Sequence, residues 1–211
     1  MSKKMDPRVI RTRQLLRDAL VALIDEQGYE KITVQDITQR ATLNRATFYL
    51  HYRDKLDLLY QSSEEALHEL VSSIHPPFEE KKDLDLLPNY DQPHETFMHL
   101  FEQIALNSKL YKVYLTEKNI PYFSDGLKDI IINFVSSGIQ MMEPDDQKLT
   151  VPREMAVRFY AAAFLEVIVW WLENDMPYTP KFMATQLMRI TIKGPYIDNP
   201  FERESRTPNF N

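Results

Sequence analysis

The run NRATFYLHYRDK, Asn44 to Lys55, concentrates side chains that donate hydrogen bonds to anions and to the edges of nucleic-acid bases: Arg45, Thr47, Tyr49, His51, Tyr52, Arg53 and Lys55. Other chemistries find little support. The chain has no cysteine, which excludes disulfides, thiolate metal sites and cysteine nucleophiles. His68-Glu-Leu-Val-Ser72 begins like a zinc-protease motif, but that motif needs a second histidine where Ser72 stands. Of the histidines at 51, 68, 75, 94 and 99, only His94 and His99 are close, and five positions along a helix do not share a face. No activated nucleophile, glycine-rich phosphate loop or dinucleotide fingerprint is present. Neither an enzyme, a metal site nor a cofactor is expected.

The elements around this run must be helices. Glycine occurs only 4 times in 211 residues, which disfavours hairpin-rich sheets. Asp6-Pro7 opens a first helix whose apolar positions recur at helical spacing to Ile24, and Gly28 ends it. Thr33 caps a short second helix carrying Val34, Ile37 and Ala41 on one face. After the turn Thr42-Leu43-Asn44, Asn44 caps a third helix to about His51, and a fourth runs from Lys55 to about Ile74. A proline-rich connection follows between His75 and Pro93, then helices resume to about Ile192 before a proline-punctuated tail. The expected fold is all-α with about nine helices: residues 1–54 a head, 55–192 a helical body, 193–211 a flexible tail.

Charge divides along the same line. Residues 1–55 hold 11 Lys and Arg against 7 Asp and Glu, a net of +4; the remainder holds 14 against 24, a net of −10. A basic head can meet phosphate where the acidic body cannot. No secretory leader and no unbroken apolar run long enough to span a membrane is read from the sequence, so a cytoplasmic protein with no membrane partner is expected.

Short helix, tight turn, short helix over Gln35–His51 is the spacing of a helix-turn-helix, whose second helix enters the major groove N-terminus first. Asn44, Arg45, Ala46 and Thr47 then face the bases, with Ala46 keeping the helix slim, while Tyr49 offers its hydroxyl to a base or a phosphate. His51, Tyr52 and Lys55 lie where a phosphate strand passes, Thr33 brings a hydroxyl and a helix N-terminus toward another phosphate, and Gln35 completes the set of DNA-facing residues. Phe48 points into the small core.

The string GYEKITVQDITQRATLNRATFYLHYRDKLDLL, Gly28 to Leu59, resembles the DNA-binding head of tetracycline-repressor-like (TetR) regulators. Matching positions include Gly28-Tyr29, Thr33-Val34, Asp36-Ile37, Ala41, Thr47-Phe48-Tyr49, His51-Tyr52, Lys55 and Leu58-Leu59. The pattern departs at Thr42 and Ala46, where glycine is common. Thr42 puts strain on the turn, and Ala46 alters base preference. Phe159 to Leu187 resembles a C-terminal region common in such regulators from low-GC Gram-positive bacteria. The resemblance implies a helical body dimerising through its last two long helices, a small-molecule effector of unknown identity, and a double-stranded DNA operator as partner. It allows a repressor or, alternatively, an activator or protein-binding coactivator with weak DNA contact.

Met155 to Leu172 is apolar nearly all round and so needs cover on two sides, most simply the body's core and a second copy of the chain. Such a homodimer presents two recognition helices to one face of a palindromic operator, its half-sites about 34–36 Å apart or a multiple of that. An effector that prefers one tilt of the fourth helix resets the spacing of the heads. The aromatic residues Phe97, Phe101, Tyr111, Tyr114, Phe134, Tyr160, Phe164 and Trp170 are candidates to line the effector's cavity, with plain core as the competing reading. Glu166, a lone carboxylate in an apolar stretch, is either an effector anchor or the partner of an arginine such as Arg153 or Arg158 across a dimer.

Overall fold

A computed structural model describes residues 6–73, 95–117 and 121–193. In chain order these form α1 (Pro7–Gln27), a 3-10 turn (Tyr29–Lys31), α2 (Val34–Arg40), α3 (Arg45–His51), α4 (Lys55–Ser73), α5 (Glu95–Leu106), α6 (Ser108–Thr116), α7 (Pro121–Met142), a second 3-10 turn (Asp146–Lys148), α8 (Arg153–Glu173) and α9 (Pro180–Lys193). The fold is all-α: nine α-helices and no strand among the described residues. The proline-rich connection and the tail lie outside them.

Local chemistry sets the boundaries of the head. The Asp6 carboxylate accepts the Arg8 amide at 2.8 Å, and Pro7 occupies the first turn, where its missing N–H costs nothing. Gly28 leaves α1 at φ +80°, a conformation other residues resist. Thr33 and Asp36 form a reciprocal capping box on α2. The α2–α3 turn closes through Leu43 N–H to Thr38 C=O (2.9 Å) and Thr42 N–H to Gln39 C=O (3.2 Å). That pair of bonds requires a left-handed residue at Thr42, which adopts φ +56° despite its branched Cβ. The strain expected at this non-glycine turn is therefore present in the backbone.

Leu16, Leu20, Ile37, Phe48 and Leu58 are fully buried in the head, and the apolar core continues unbroken into the body. There α7 packs on α8 and α5 on α9, around Phe101, Ile104, Ile131, Ile168 and Trp171. Gly126 of α7 lets α4 approach so closely that a Cβ there would overlap Leu67 Cδ1.

Head and body are tied through α4 and α6. Arg13 and Arg17, one turn apart on α1, pair with Glu65 and Glu69, one turn apart on α4. Arg17 is almost wholly buried, so this second pair is shielded more than an ordinary surface bridge. Lys109 of α6 reaches Asp25 of α1 at 3.1 Å, and the Tyr114 hydroxyl of α6 donates to Ser62 Oγ of α4 at 2.7 Å.

Helix α8 is long and apolar enough to cross a membrane by length and composition alone. Its apolar residues divide between two sides. Val157, Ala161, Phe164, Ile168 and Trp171 face the core, and the Trp171 indole donates to Tyr178 C=O at 2.9 Å. Met155, Phe159 and Trp170 face outward and are 60%, 67% and 43% exposed.

Candidate nucleic-acid interface

Helix α3 is held from behind and left open in front. Phe48 anchors it, fully buried, with its ring 5.4 Å from Tyr49 and 5.8 Å from Tyr52. Asn44 caps it: Oδ1 accepts the Thr47 amide (2.7 Å) and the Thr47 hydroxyl (2.9 Å). This spends the Asn44 carbonyl and the Thr47 proton within the chain and leaves the Asn44 NH2 outward. Arg45, Ala46 and Tyr49 are exposed, and Arg45 makes no ion pair with any described residue. A guanidinium and a phenol thus stand free on a slender helix, the groups that bind guanine edges and phosphates. Gln35 is exposed at the start of α2, and His51 is half-buried at the end of α3.

Three expected phosphate contacts are placed differently. Tyr52 is buried: its ring lies beneath the Arg13 guanidinium at 5.2 Å, its hydroxyl has no partner among the described residues, and burial pushes the phenol up to about 12. An aromatic directly after α3 fills the gap between α1 and α4, so Tyr52 is core and not interface. The Lys55 ammonium turns inward, donating to Tyr29 C=O at 3.0 Å and lying 4.3 Å from that ring's centre, where it closes the 3-10 turn onto α4. The Thr33 hydroxyl donates to Asp36 Oδ2 at 2.6 Å, and the two hydrogen bonds from Thr33 hold that carboxylate below its ordinary range. An acidic group therefore already occupies the α2 N-terminus.

Two residues absent from the expected interface lie beside it. The Arg53 side chain is 87% exposed, with Asp57 at 3.4 Å, and Leu50 is 82% exposed. Helical spacing from Phe48 places Leu50 on the opposite, outward side of α3.

The body's aromatic residues pack ring on ring. Phe97 lies against Phe134 (5.3 Å, stacked), Phe101 and Phe164, and Phe101 meets Trp171 edge-on. Phe123 packs on Tyr111 and Tyr114. Tyr160 is half-buried and donates to Thr191 C=O at 3.2 Å. Glu166 and Trp170 are corrections to the cavity reading: both lie on the exposed side of α8, because their register matches Met155 and Phe159 and not the core-facing Phe164 and Ile168. Arg158 pairs instead with Glu154, and Arg153 with Asp146.

The chain is similar to known proteins in both its head and its body. The pattern of bacterial regulatory proteins of the tetR family matches residues 16–61, and that of a transcriptional regulator C-terminal region matches residues 91–193. An uncharacterised helix-turn-helix transcriptional regulator of Bacillus subtilis, YxbF, is 38% identical over 73 residues, which are 34% of this chain and 19% of that protein. The chain thus spans about a fifth of that relative's length. The structure of the fatty acid degradation regulator FadR from Bacillus halodurans superposes with a TM-score of 0.65 at 21% identity, covering 91% of this chain and 98% of the other. The regulator FadR from Bacillus subtilis, in complex with stearoyl-CoA, superposes with a TM-score of 0.59 at 20% identity, covering 87% and 99%. With its helix-turn-helix head and its helical body both matched, the chain belongs to the tetR family of bacterial regulatory proteins.

Proposed function

We propose that the chain is a homodimeric DNA-binding transcriptional regulator, a repressor released from a palindromic operator by a small-molecule effector. One observation carries this: Arg45 and Tyr49 stand exposed on a helix whose opposite side is clamped by Phe48. Membership of the family supplies the regulatory role. The outward stripe of α8, with Phe182 and Ile190 of α9 43% and 50% exposed, supports a seam between copies built from four helices. The body takes the effector. Likeness to a regulator in complex with stearoyl-CoA makes long-chain acyl-CoA thioesters the first class to screen.

The test is a band-shift titration with duplexes recovered from a random pool, using the wild type, Arg45→Ala and Tyr49→Ala. Each variant is expected to weaken binding by about 5- to 150-fold, the range for a lost base contact. Undiminished binding by both rejects the head assignment. A second reading, an activator or coactivator of the same fold with weak DNA contact, is favoured by the internal engagement of Thr33 and Lys55, which leaves fewer phosphate contacts. Salt dependence separates the two: a shallow slope of affinity against salt supports the second.

A further inference from the structure

Leu50 is the most exposed large apolar side chain among the described residues, at 82%, and it sits on the helix assigned to DNA. At 3.6 residues per turn, Ala46 and Leu50 lie about 160° and about 200° around α3 from the buried Phe48. The line farthest from the head's core is therefore Ala46–Leu50, with Arg45 and Tyr49 on one flank and Thr47 and His51 on the other. That line carries no hydrogen-bonding side chain. Of the polar groups that flank it, the Thr47 hydroxyl gives its proton to Asn44 Oδ1, and Tyr49 is exposed.

A helix that enters the major groove brings this line closest to the base pairs. The apolar feature on the groove floor is the thymine C5-methyl. We propose that Leu50, with Ala46 beside it, determines specificity by packing on a thymine methyl in each half-site. The inference rests on the DNA-binding reading above. A protein partner is the weaker occupant: one exposed leucine offers far too little apolar area for a stable protein interface, whereas a single apolar tip on a segment that also exposes Arg45 and Arg53 matches a methyl group set among phosphates.

The experiment selects bound duplexes with the purified full-length protein, then replaces each thymine of the selected site, one at a time, by deoxyuridine, which lacks only the methyl. One position in each half-site is expected to lose about fourfold in affinity per methyl removed, the value of one buried methyl-sized group. Leu50→Ala is expected to bind the thymine and uracil duplexes equally, with an unchanged salt slope because no phosphate contact is lost, while Leu50→Met retains the discrimination. Indifference of the wild type to every uracil, or identical discrimination by wild type and Leu50→Ala, overturns the proposal while leaving DNA binding in place. Failure to recover any duplex overturns the DNA-binding reading and this inference with it.

Discussion

The Tyr114–Ser62 hydrogen bond offers an asymmetric test of how α6 is fastened to α4. Both residues are fully buried, and the phenol donates to Ser62 Oγ at 2.7 Å. Ser62 Oγ in turn donates to Leu58 C=O at 2.6 Å. Tyr114→Phe removes a donor and leaves Ser62 satisfied by that carbonyl, at a cost of about 1 kcal/mol. Ser62→Ala instead leaves a phenol hydroxyl in the core with no acceptor, at a cost of about 2 kcal/mol for the desolvated group. Once Tyr114 is phenylalanine, losing the serine hydroxyl strands nothing, so the double variant is expected about 1 kcal/mol below wild type, not about 3 kcal/mol. For a chain of this size the melting temperature falls by about 3 °C in Tyr114→Phe and about 6 °C in Ser62→Ala. Urea unfolding of all four proteins at one protein concentration measures the cycle. Additive costs, or a larger loss from Tyr114→Phe, would refute the reasoning.

Asp57 accepts the Arg53 amide and the Gln61 side chain, which hold its carboxyl at about 2; being depressed, it stabilises the fold above the ordinary carboxylate value and loses that contribution as pH falls from about 4 through about 2. Asp57→Asn should remove at most about 2 kcal/mol at neutral pH and flatten the acid limb of the stability profile, read by urea unfolding across that range. Thr42→Gly relieves a left-handed β-branched residue and is expected to raise stability by about 1 kcal/mol, measurable as a rise in melting temperature; a fall would mean the turn is not strained. Gly126→Ala drives a methyl into Leu67 and should cost about 1 kcal/mol, a loss that Leu67→Ala in the same chain partly offsets. On the proposed seam, Phe159→Glu sets a charge in the exposed stripe of α8 and should reduce the mass seen by light scattering from two copies to one with an unchanged helical spectrum; a mass equal to that of the wild type would refute this placement of the seam.

What the sequence made legible is what local chemistry decides. Asp6-Pro7, Thr33 and Asn44 are caps whose function depends on residues two or three positions away, and each caps its helix as expected. Phe48 follows from period alone. Tyr52, Lys55, Glu166 and Trp170 were harder because chemical type and direction disagree. A tyrosine and a lysine beside a basic helix look like phosphate ligands, yet long-range packing turns one under Arg13 and the other onto the Tyr29 carbonyl. Glu166 looks buried because its neighbours are apolar. In a helix apolar on two sides, however, composition cannot say which side faces the core of its own chain, and only packing against α6 and α7 settles it. Leu50 is the mirror case, an apolar residue directed outward by register. Where residue type and register conflict, register prevails on a short capped helix, because its one anchor, Phe48, fixes the direction of every other side chain on it.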